Sequence, residues 1–342
     1  MADALLNDKN ELSITLKVRN SRAKGLRASR DGRAKQICFP GKTEDEAWRF
    51  AVVLRILELM HEALRNDVVM SKRDIYYRDP ALFGNQTYVD RYVDDIALTF
   101  GLSRASLNVC AVAKGLVAGA FTIYRKDGSS TIANNDREGL LVPSLRDIQA
   151  IDVKMVNWIL VIEKEATFRS ITAGPFWDTI ATQGIVLTGK GYPDLSTRAL
   201  LHFLSTASPE NGFASPPVYG LADFDPDGLS ILSTYRRGSK SLAHESEAHC
   251  IPQLQWLGLR SENLYMDQAN THASQGLLKL TTRDRKKAVN MLVRNDDWEV
   301  PEEWKAELRT MLMLNTKAEL QLLDATRHGT ADLLTAKLSG CT

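Results

Sequence analysis

The chain has little of three things that commonly place an unfamiliar sequence: cysteine, long apolar runs and net charge. Four cysteines, Cys38, Cys110, Cys250 and Cys341, are scattered through 342 residues with no Cys-x-x-Cys pair. That spacing argues against a disulfide framework or a zinc site, and for reduced thiols of an intracellular protein. No uninterrupted apolar stretch approaches the roughly 20 residues that a membrane helix needs, so no membrane association is expected. The first residues, Met1-Ala2-Asp3-Ala4-Leu5-Leu6-Asn7-Asp8, lack the basic-then-apolar order of a secretory signal. A formal net charge of +1 gives nucleic-acid binding no support from the total.

What is present is an ordinary globular composition, 44% hydrophobic and 25% charged, in a chain long enough for two cores. The charge is unevenly spread. Arg19, Arg22, Lys24, Arg27, Arg30, Arg33 and Lys35 make the first forty residues basic, which suits either a DNA-facing arm or a solvated one.

Leu12–Val18 alternates like a strand. From Glu44 to about Leu64, apolar Ala47, Phe50, Ala51, Leu54 and Leu57 recur at helical spacing. Val89, Val93, Ile96, Ala97 and Phe100 mark a second helix ended by Gly101, and Ser103 caps a short third one carrying Arg104 and Asn108. The apolar stretch Leu116 to Tyr124 then runs into Lys126-Asp127-Gly128-Ser129, a hairpin turn signal. Three helices followed by a hairpin is the order of a winged-helix (CAP-like) domain. After a polar linker the rhythm changes. Strands at Trp158–Ile162, Gly184–Thr188 and Val218–Ala222 alternate with helical segments, which predicts a mainly parallel sheet. The fold class is mixed α/β. The expected divisions are an arm over 1–42, a winged-helix domain over 43–135, a linker over 136–152 and an α/β domain over 153–342.

Glu163 follows the first of those strands, and Asp223 and Asp225 follow the third. Groups at the carboxyl ends of neighbouring parallel strands share one crevice. Carboxylates gathered there repel one another, and an all-oxygen set relieves that repulsion by binding a hard cation such as magnesium. Glu165 competes with Glu163, because periodicity leaves the start of the next helix open; Glu163 is favoured because it ends the apolar run. Capping or surface exposure is the alternative for each acid.

Three look-alikes fail on spacing. Asp223-Phe224-Asp225-Pro226-Asp227-Gly228 starts like a calcium loop, but its twelfth position is Thr234. Gly184-x-x-x-x-Gly189-Lys190 is followed by Gly191 where a phosphate loop needs Ser or Thr. His244-Glu245 and His249 are one residue too far apart for a metalloprotease helix.

In Gly189-Lys190-Gly191-Tyr192-Pro193-Asp194 two glycines allow close approach of a ligand, while Lys190 and the later Arg198 bring positive charge and Tyr192 a flat face. Arg104 and Lys114 are further candidates for DNA contact. Arg73-Asp74-Ile75-Tyr76-Tyr77 places an arginine four residues before a tyrosine. A phenol of reference pKa about 10 needs help to act as a nucleophile near neutrality, and an arginine supplies it by stabilising phenolate or phosphorane charge. By itself the tyrosine pair would be ordinary aromatic packing.

These segments resemble the eukaryotic meiotic DNA double-strand-break transesterases, relatives of the A subunit of topoisomerase VI. The likeness runs in order over roughly residues 40–320. It is carried by Ser71-Lys72-Arg73-Asp74-Ile75-Tyr76-Tyr77, Leu82-Phe83-Gly84-Asn85-Gln86, Val93-Asp94-Asp95-Ile96 and Lys114-Gly115-Leu116. In the second half it rests on Val161-Ile162-Glu163-Lys164-Glu165-Ala166, Thr188-Gly189-Lys190-Gly191-Tyr192-Pro193-Asp194, Ala222-Asp223-Phe224-Asp225-Pro226, Trp256-Leu257-Gly258-Leu259 and Leu280-Thr281-Thr282-Arg283-Asp284.

The resemblance implies a winged-helix domain followed by a Toprim domain with a Rossmann-like sheet. It implies that Tyr77 attacks DNA, supported by Arg73 and Tyr76, and that Glu163, Asp223 and Asp225 hold Mg2+ or Mn2+. It further implies double-stranded DNA as substrate, and a homodimer in which tyrosine and metal come from different protomers. A topoisomerase VI B-like partner, meiotic accessory proteins and a place on chromosomes in the nucleus complete the expectation. A topoisomerase that reseals its breaks, an inactive DNA-binding scaffold and a hydrolytic Toprim nuclease are the rivals. Asp227 departs from the family pattern, as an extra acid beside the metal set.

Overall fold

The computed structural model describes residues 11–18, 33–110, 113–133, 137–175, 177–238, 247–264, 276–294, 300–325 and 329–338. Most of the basic arm and the His244-Glu245 look-alike lie outside these residues. The chain divides between positions 112 and 113 into two compact units, each with its own hydrophobic core.

In the first unit, β1 (Leu12–Val18) pairs antiparallel with β2 (Arg33–Phe39), Leu12 opposite Phe39 and Val18 opposite Arg33. Helix α1 (Glu44–Arg65) starts at Thr43, whose hydroxyl accepts from the Glu46 backbone N–H at 3.2 Å. Three acids in its first turn and Arg65 in its last complement the helix dipole. Its buried stripe is Phe50, Val53, Ile56, Met60 and Ala63, with Val52 and Leu59 beside it. The apolar face expected from sequence is therefore turned, and Leu54 is exposed. The reason is that α1 is covered on more than one side, by β2 and by a later helix, so a single stripe misjudges its orientation.

Two short helices follow, α2 (Lys72–Arg78) and α3 (Pro80–Phe83), and then α4 (Gln86–Phe100). Gly101 ends α4 at φ 66°, a left-handed conformation that glycine adopts without strain. The third helix expected after Ser103 is a single 3-10 turn, Ala105–Leu107.

The second unit holds a six-stranded sheet. Its strands are β3 (Leu116–Gly119), β6 (Leu140–Leu141), β8 (Trp158–Ile162), β9 (Gly184–Thr188), β10 (Val218–Leu221) and β11 (Gln255–Gly258), in the order β11-β10-β8-β9-β3-β6. The four from β11 to β9 are parallel; β3 runs antiparallel to β9 and β6 antiparallel to β3. Every residue of β8, β9 and β10 is buried, which is why their sequences read as continuous apolar runs. The stretch Leu116–Tyr124 is not one strand. It breaks after Gly119, so β3 joins the large sheet while β4 (Thr122–Arg125) pairs with β5 (Ser130–Ile132) and β7 (Ile148–Asp152). A side chain at Gly119 would press to 2.2 Å from the Gly184 carbonyl oxygen, so only glycine lets β3 approach β9 there. The expected hairpin forms, but it groups with the second unit and not with the helices of the first.

Helices α5 (Glu165–Ala173), α6 (Trp177–Ile180), α7 (Leu195–Ser205) and α8 (Pro226–Arg237) connect the parallel strands. A small ladder of β12 (Leu277–Lys279) and β13 (Thr316–Ala318), with α9 (Thr282–Leu292), α10 (Glu302–Leu314) and α11 (Gly329–Leu338), completes the unit. Among the described residues no helix is long and apolar enough to cross a membrane.

Candidate active site

The tyrosine pair rides on α2, a helix of seven residues that cannot be stable by itself. Three local features hold it. Ser71 and Asp74 form a reciprocal capping box: the Ser71 hydroxyl accepts from Asp74 N–H at 3.1 Å, and the Asp74 carboxylate accepts from Ser71 N–H at 2.8 Å. These bonds keep the Asp74 carboxyl below its ordinary range. Ile75 plugs into the core with no exposed surface. Lys72 donates to the Asp90 carbonyl at 3.0 Å and to the Asp94 carboxylate at 2.6 Å, tying α2 to α4.

With one face so anchored, Tyr77 points outward and is 67% exposed, while Tyr76 is half-buried against the core. Their rings are 5.5 Å apart and tilted by 60°. Arg73 is exposed one helical turn before Tyr77, so both present to the same outer face. Arg104 does not join them. It is buried, its guanidinium 3.4 Å from Asp94, where it helps neutralise that carboxylate. The expectation of a DNA contact there fails, because a pattern of isolated charges does not reveal that Asp94 faces inward from α4.

In the second unit the register of the sheet aligns the acids. Ile162 is opposite Leu221 of β10 and Thr188 of β9, so Glu163, the Gly189 loop and Asp223 all emerge at the same carboxyl edge. Glu163 is 8% exposed and accepts from the Asp223 backbone N–H at 3.0 Å. Burial, followed by repulsion from Asp223, pushes its pKa up to about 8. Asp223 is 5% exposed; one carboxylate oxygen accepts from Leu320 N–H at 2.9 Å and the other lies 2.8 Å from the Lys164 ammonium. Asp225 caps α8, accepting from Gly228 N–H at 2.6 Å, and burial raises its pKa as well. Glu165 is half-exposed and turned away, paired with Arg169 at 2.8 Å and Lys190 at 3.1 Å, which hold it ionised. The geometry thus separates the two glutamates that sequence left open: Glu163 is the one beside Asp223.

The expected three-carboxylate cluster is not assembled. Among the described residues no three carboxylate, imidazole or thiol groups stand close enough to enclose a metal ion. Asp225 is occupied as a cap, and Asp223 is shared with Lys164. The donor set still fits a hard divalent cation in chemistry. All three groups are oxygen donors, and the absence of a side chain at Gly228 keeps Glu163 uncrowded, since a Cβ there would lie 2.7 Å from the Asp223 carbonyl and 3.0 Å from Glu163 Oε2.

The Gly189 loop gathers Lys190, Tyr192 and Lys114. Lys190 itself has φ 53° and Gly191 φ 89°, and a Cβ at Gly189 would collide with the Tyr235 hydroxyl at 2.6 Å. Lys114 donates through its backbone N–H to Asp194 at 3.1 Å and reaches the Lys190 carbonyl at 3.5 Å. Tyr192 donates to Ser230 at 2.9 Å and accepts from Lys287 at 2.7 Å. Arg198, by contrast, is 2% exposed, directed at the His249 carbonyl and the Cys250 sulfur from the inner face of α7. It is a packed core residue and not a DNA contact. Asp227 does not enlarge the acid set, being ion-paired with Lys287 of α9. Gly228, Lys164 and Lys287 were missed in the sequence. The position of Lys164 directly after Glu163 was the one available signal.

Residues 158–338 match the family described as the Toprim domain of the topoisomerase 6 A subunit and Spo11, and residues 48–109 match "Type IIB DNA topoisomerase". The meiotic recombination protein SPO11-1 of Arabidopsis thaliana is 35% identical over 288 residues, which cover 84% of this chain and 76% of that protein. The chain belongs to the family of Spo11 and the topoisomerase VI A subunit. Two further members are similar over comparable lengths. The meiotic recombination protein rec12 of Schizosaccharomyces pombe is 38% identical over 273 residues, covering 80% of this chain and 73% of that protein. The meiotic recombination protein SPO11 of Homo sapiens is 34% identical over 279 residues, covering 81% and 67%. Membership in this family makes the chain a topoisomerase-like DNA transesterase with a Toprim domain as its second half.

Proposed function

We propose that the protein makes programmed double-strand breaks in DNA, with Tyr77 as the attacking group, and so initiates meiotic recombination. The observation that carries the reading is an exposed tyrosine on an otherwise anchored helix, in a chain whose second unit presents Glu163 and Asp223 at the carboxyl edge of a Toprim sheet. In the reaction, the Tyr77 oxygen bonds to a backbone phosphorus and the bond from that phosphorus to the 3′-oxygen breaks. The phenolic proton is lost, and the leaving oxygen gains one to become a free 3′-hydroxyl. The 5′-phosphate stays on tyrosine, and neither water nor ATP is consumed. Arg73 stabilises negative charge on the phenolate and on the phosphorane. Glu163 and Asp223, with Asp225 released from its capping role, would hold a divalent cation, which when bound neutralises phosphate oxygens. Lys190, Tyr192 and Lys114 steady the backbone of the duplex.

The helices of the first unit support its reading as a winged-helix type of DNA-docking domain. In the active form two protomers assemble, each lending its tyrosine to the acids of the other, beside a topoisomerase VI B-like partner and accessory proteins on nuclear chromosomes. Resealing is the second reading, favoured by the topoisomerase VI name that part of the family carries; ATP-dependent relaxation of supercoiled DNA with a B-type partner selects it. The decisive experiment incubates the protein and its partners with duplex DNA and a divalent cation. A covalent adduct forms at Tyr77, and Tyr77→Phe reduces it by at least about a thousandfold while leaving the thermal midpoint unchanged. A full yield from the variant overturns the assignment.

A further inference from the structure

Lys164 is a basic group that the mechanism above leaves without a task, although it sits beside Asp223. It follows Glu163 directly at the end of β8, and its ammonium crosses to β10 to meet Asp223 at 2.8 Å. Burial works against that charge, but the Asp223 carboxylate outweighs it. The same ammonium lies 3.4 Å from Glu319 Oε2 and 3.4 Å from Gln321 Oε1, both on the segment after β13. Glu319 is 52% exposed, whereas the Asp223 side chain is 7% exposed. The lysine therefore has a buried partner and a ready place outside it.

The other bonds of the site are to backbone. Glu163 is tied to Asp223 N–H, and Asp223 to Leu320 N–H, so neither carboxylate can turn far without breaking them. Lys164 hangs on four rotatable bonds and is the member free to move. An ammonium and a divalent cation cannot share one carboxylate oxygen, since like charges a few ångströms apart in a buried place repel strongly.

We infer that Lys164 is a built-in counter-cation that competes with the divalent cation for Asp223, and that loading the site moves its ammonium onto Glu319 and Gln321. The lysine keeps the buried Asp223 charge tolerable while no cation is held, and it weakens cation affinity by the free energy of its own displacement. The inference rests on the reading of Glu163 and Asp223 as the cation site.

The test measures Mn2+ binding to the full chain by calorimetry, without DNA, together with the thermal midpoint in chelator and in Mn2+. Lys164→Met should bind Mn2+ about tenfold more tightly than the wild type. Its midpoint should fall in chelator and recover in Mn2+, so that the cation-dependent shift is larger than in the wild type. Glu319→Gln removes the outer berth and should weaken binding about threefold; it serves if Lys164→Met does not fold. Unchanged or weaker binding by Lys164→Met, with Asp223→Asn abolishing it, overturns the competition and leaves the cation site standing. Unchanged binding by Glu319→Gln overturns the displacement onto that residue. If Asp223→Asn binds as well as the wild type, the cation site itself fails, and the inference with it.

Discussion

The two candidate regions, one in each unit, are built on opposite plans. In the first unit the candidate nucleophile is exposed on an anchored helix: the helix is capped, its inner residue is packed, and Lys72 is paired with Asp94. In the second unit the candidate cation ligands are themselves buried, held by backbone N–H groups and, at Asp223, by Lys164. A nucleophile that must meet an incoming backbone needs reach, and its surroundings can be stable without a ligand. A cation site needs converging negative charge, which costs stability until a cation is present. Removing Tyr77 should thus cost chemistry alone, whereas changes among the acids should move stability and chemistry together.

The largest effect expected from breaking this contrast is at Asp94. Asp94→Ala leaves Lys72 and Arg104 as adjacent cations with little access to water, and should cost about 3 kcal/mol. Because Lys72 ties α2 to α4, the covalent adduct should fall as well, measured beside a denaturant melt. Retention of both stability and adduct would mean that the capping box and Ile75 hold α2 unaided.

Gly228→Ala is next. Alanine gains up to about 1 kcal/mol of helix propensity over glycine, but overpacking a filled site costs about 1–3 kcal/mol. The clash dominates, because the nearest atom is the Asp223 carbonyl oxygen of the backbone, which cannot swing away. A loss of about 1 kcal/mol with impaired Mn2+ binding is expected, and wild-type values for both would show that the site is looser than its geometry.

The pH dependence of stability sharpens the electrostatic side. Folded Glu163 keeps its proton up to about pH 8, whereas the unfolded chain releases it near pH 4.5. Between those values the folded state binds more protons, so stability in chelator should fall as pH rises. Glu163→Gln has no such group, and its thermal midpoint should exceed that of the wild type at pH 8, with the difference shrinking as pH falls towards 4.5. A difference that grows towards low pH would reverse the argument.

Much of this was legible in the chain alone. The run Trp158-Ile159-Leu160-Val161-Ile162 could only be a strand covered on both faces, and Gly101 had to end a helix, because those patterns are local. The acid positions followed, since a residue just past a buried parallel strand lies at the ligand edge. The errors share one cause. Arg104 and Arg198 look like any surface arginine in the sequence, but each is directed inward by the turn or helix that carries it, to Asp94 in one case and the His249 carbonyl in the other. Leu54 of α1 and the break after Gly119 have the same origin, in how many neighbours an element meets.

The sequence by itself determined which segments are helix or strand, which acids end buried strands, and which tyrosine carries the family motif. Those properties depend on spacing of a few residues, within the reach of periodicity and capping. Only the tertiary structure decided that Glu163 and not Glu165 faces Asp223, that Asp225 is engaged as a cap, and that Lys164 reaches an acid on another strand. Those pairings join residues as many as sixty positions apart. They are set by which strands lie side by side and by how much water is left between them, and neither is written in any one stretch of the chain.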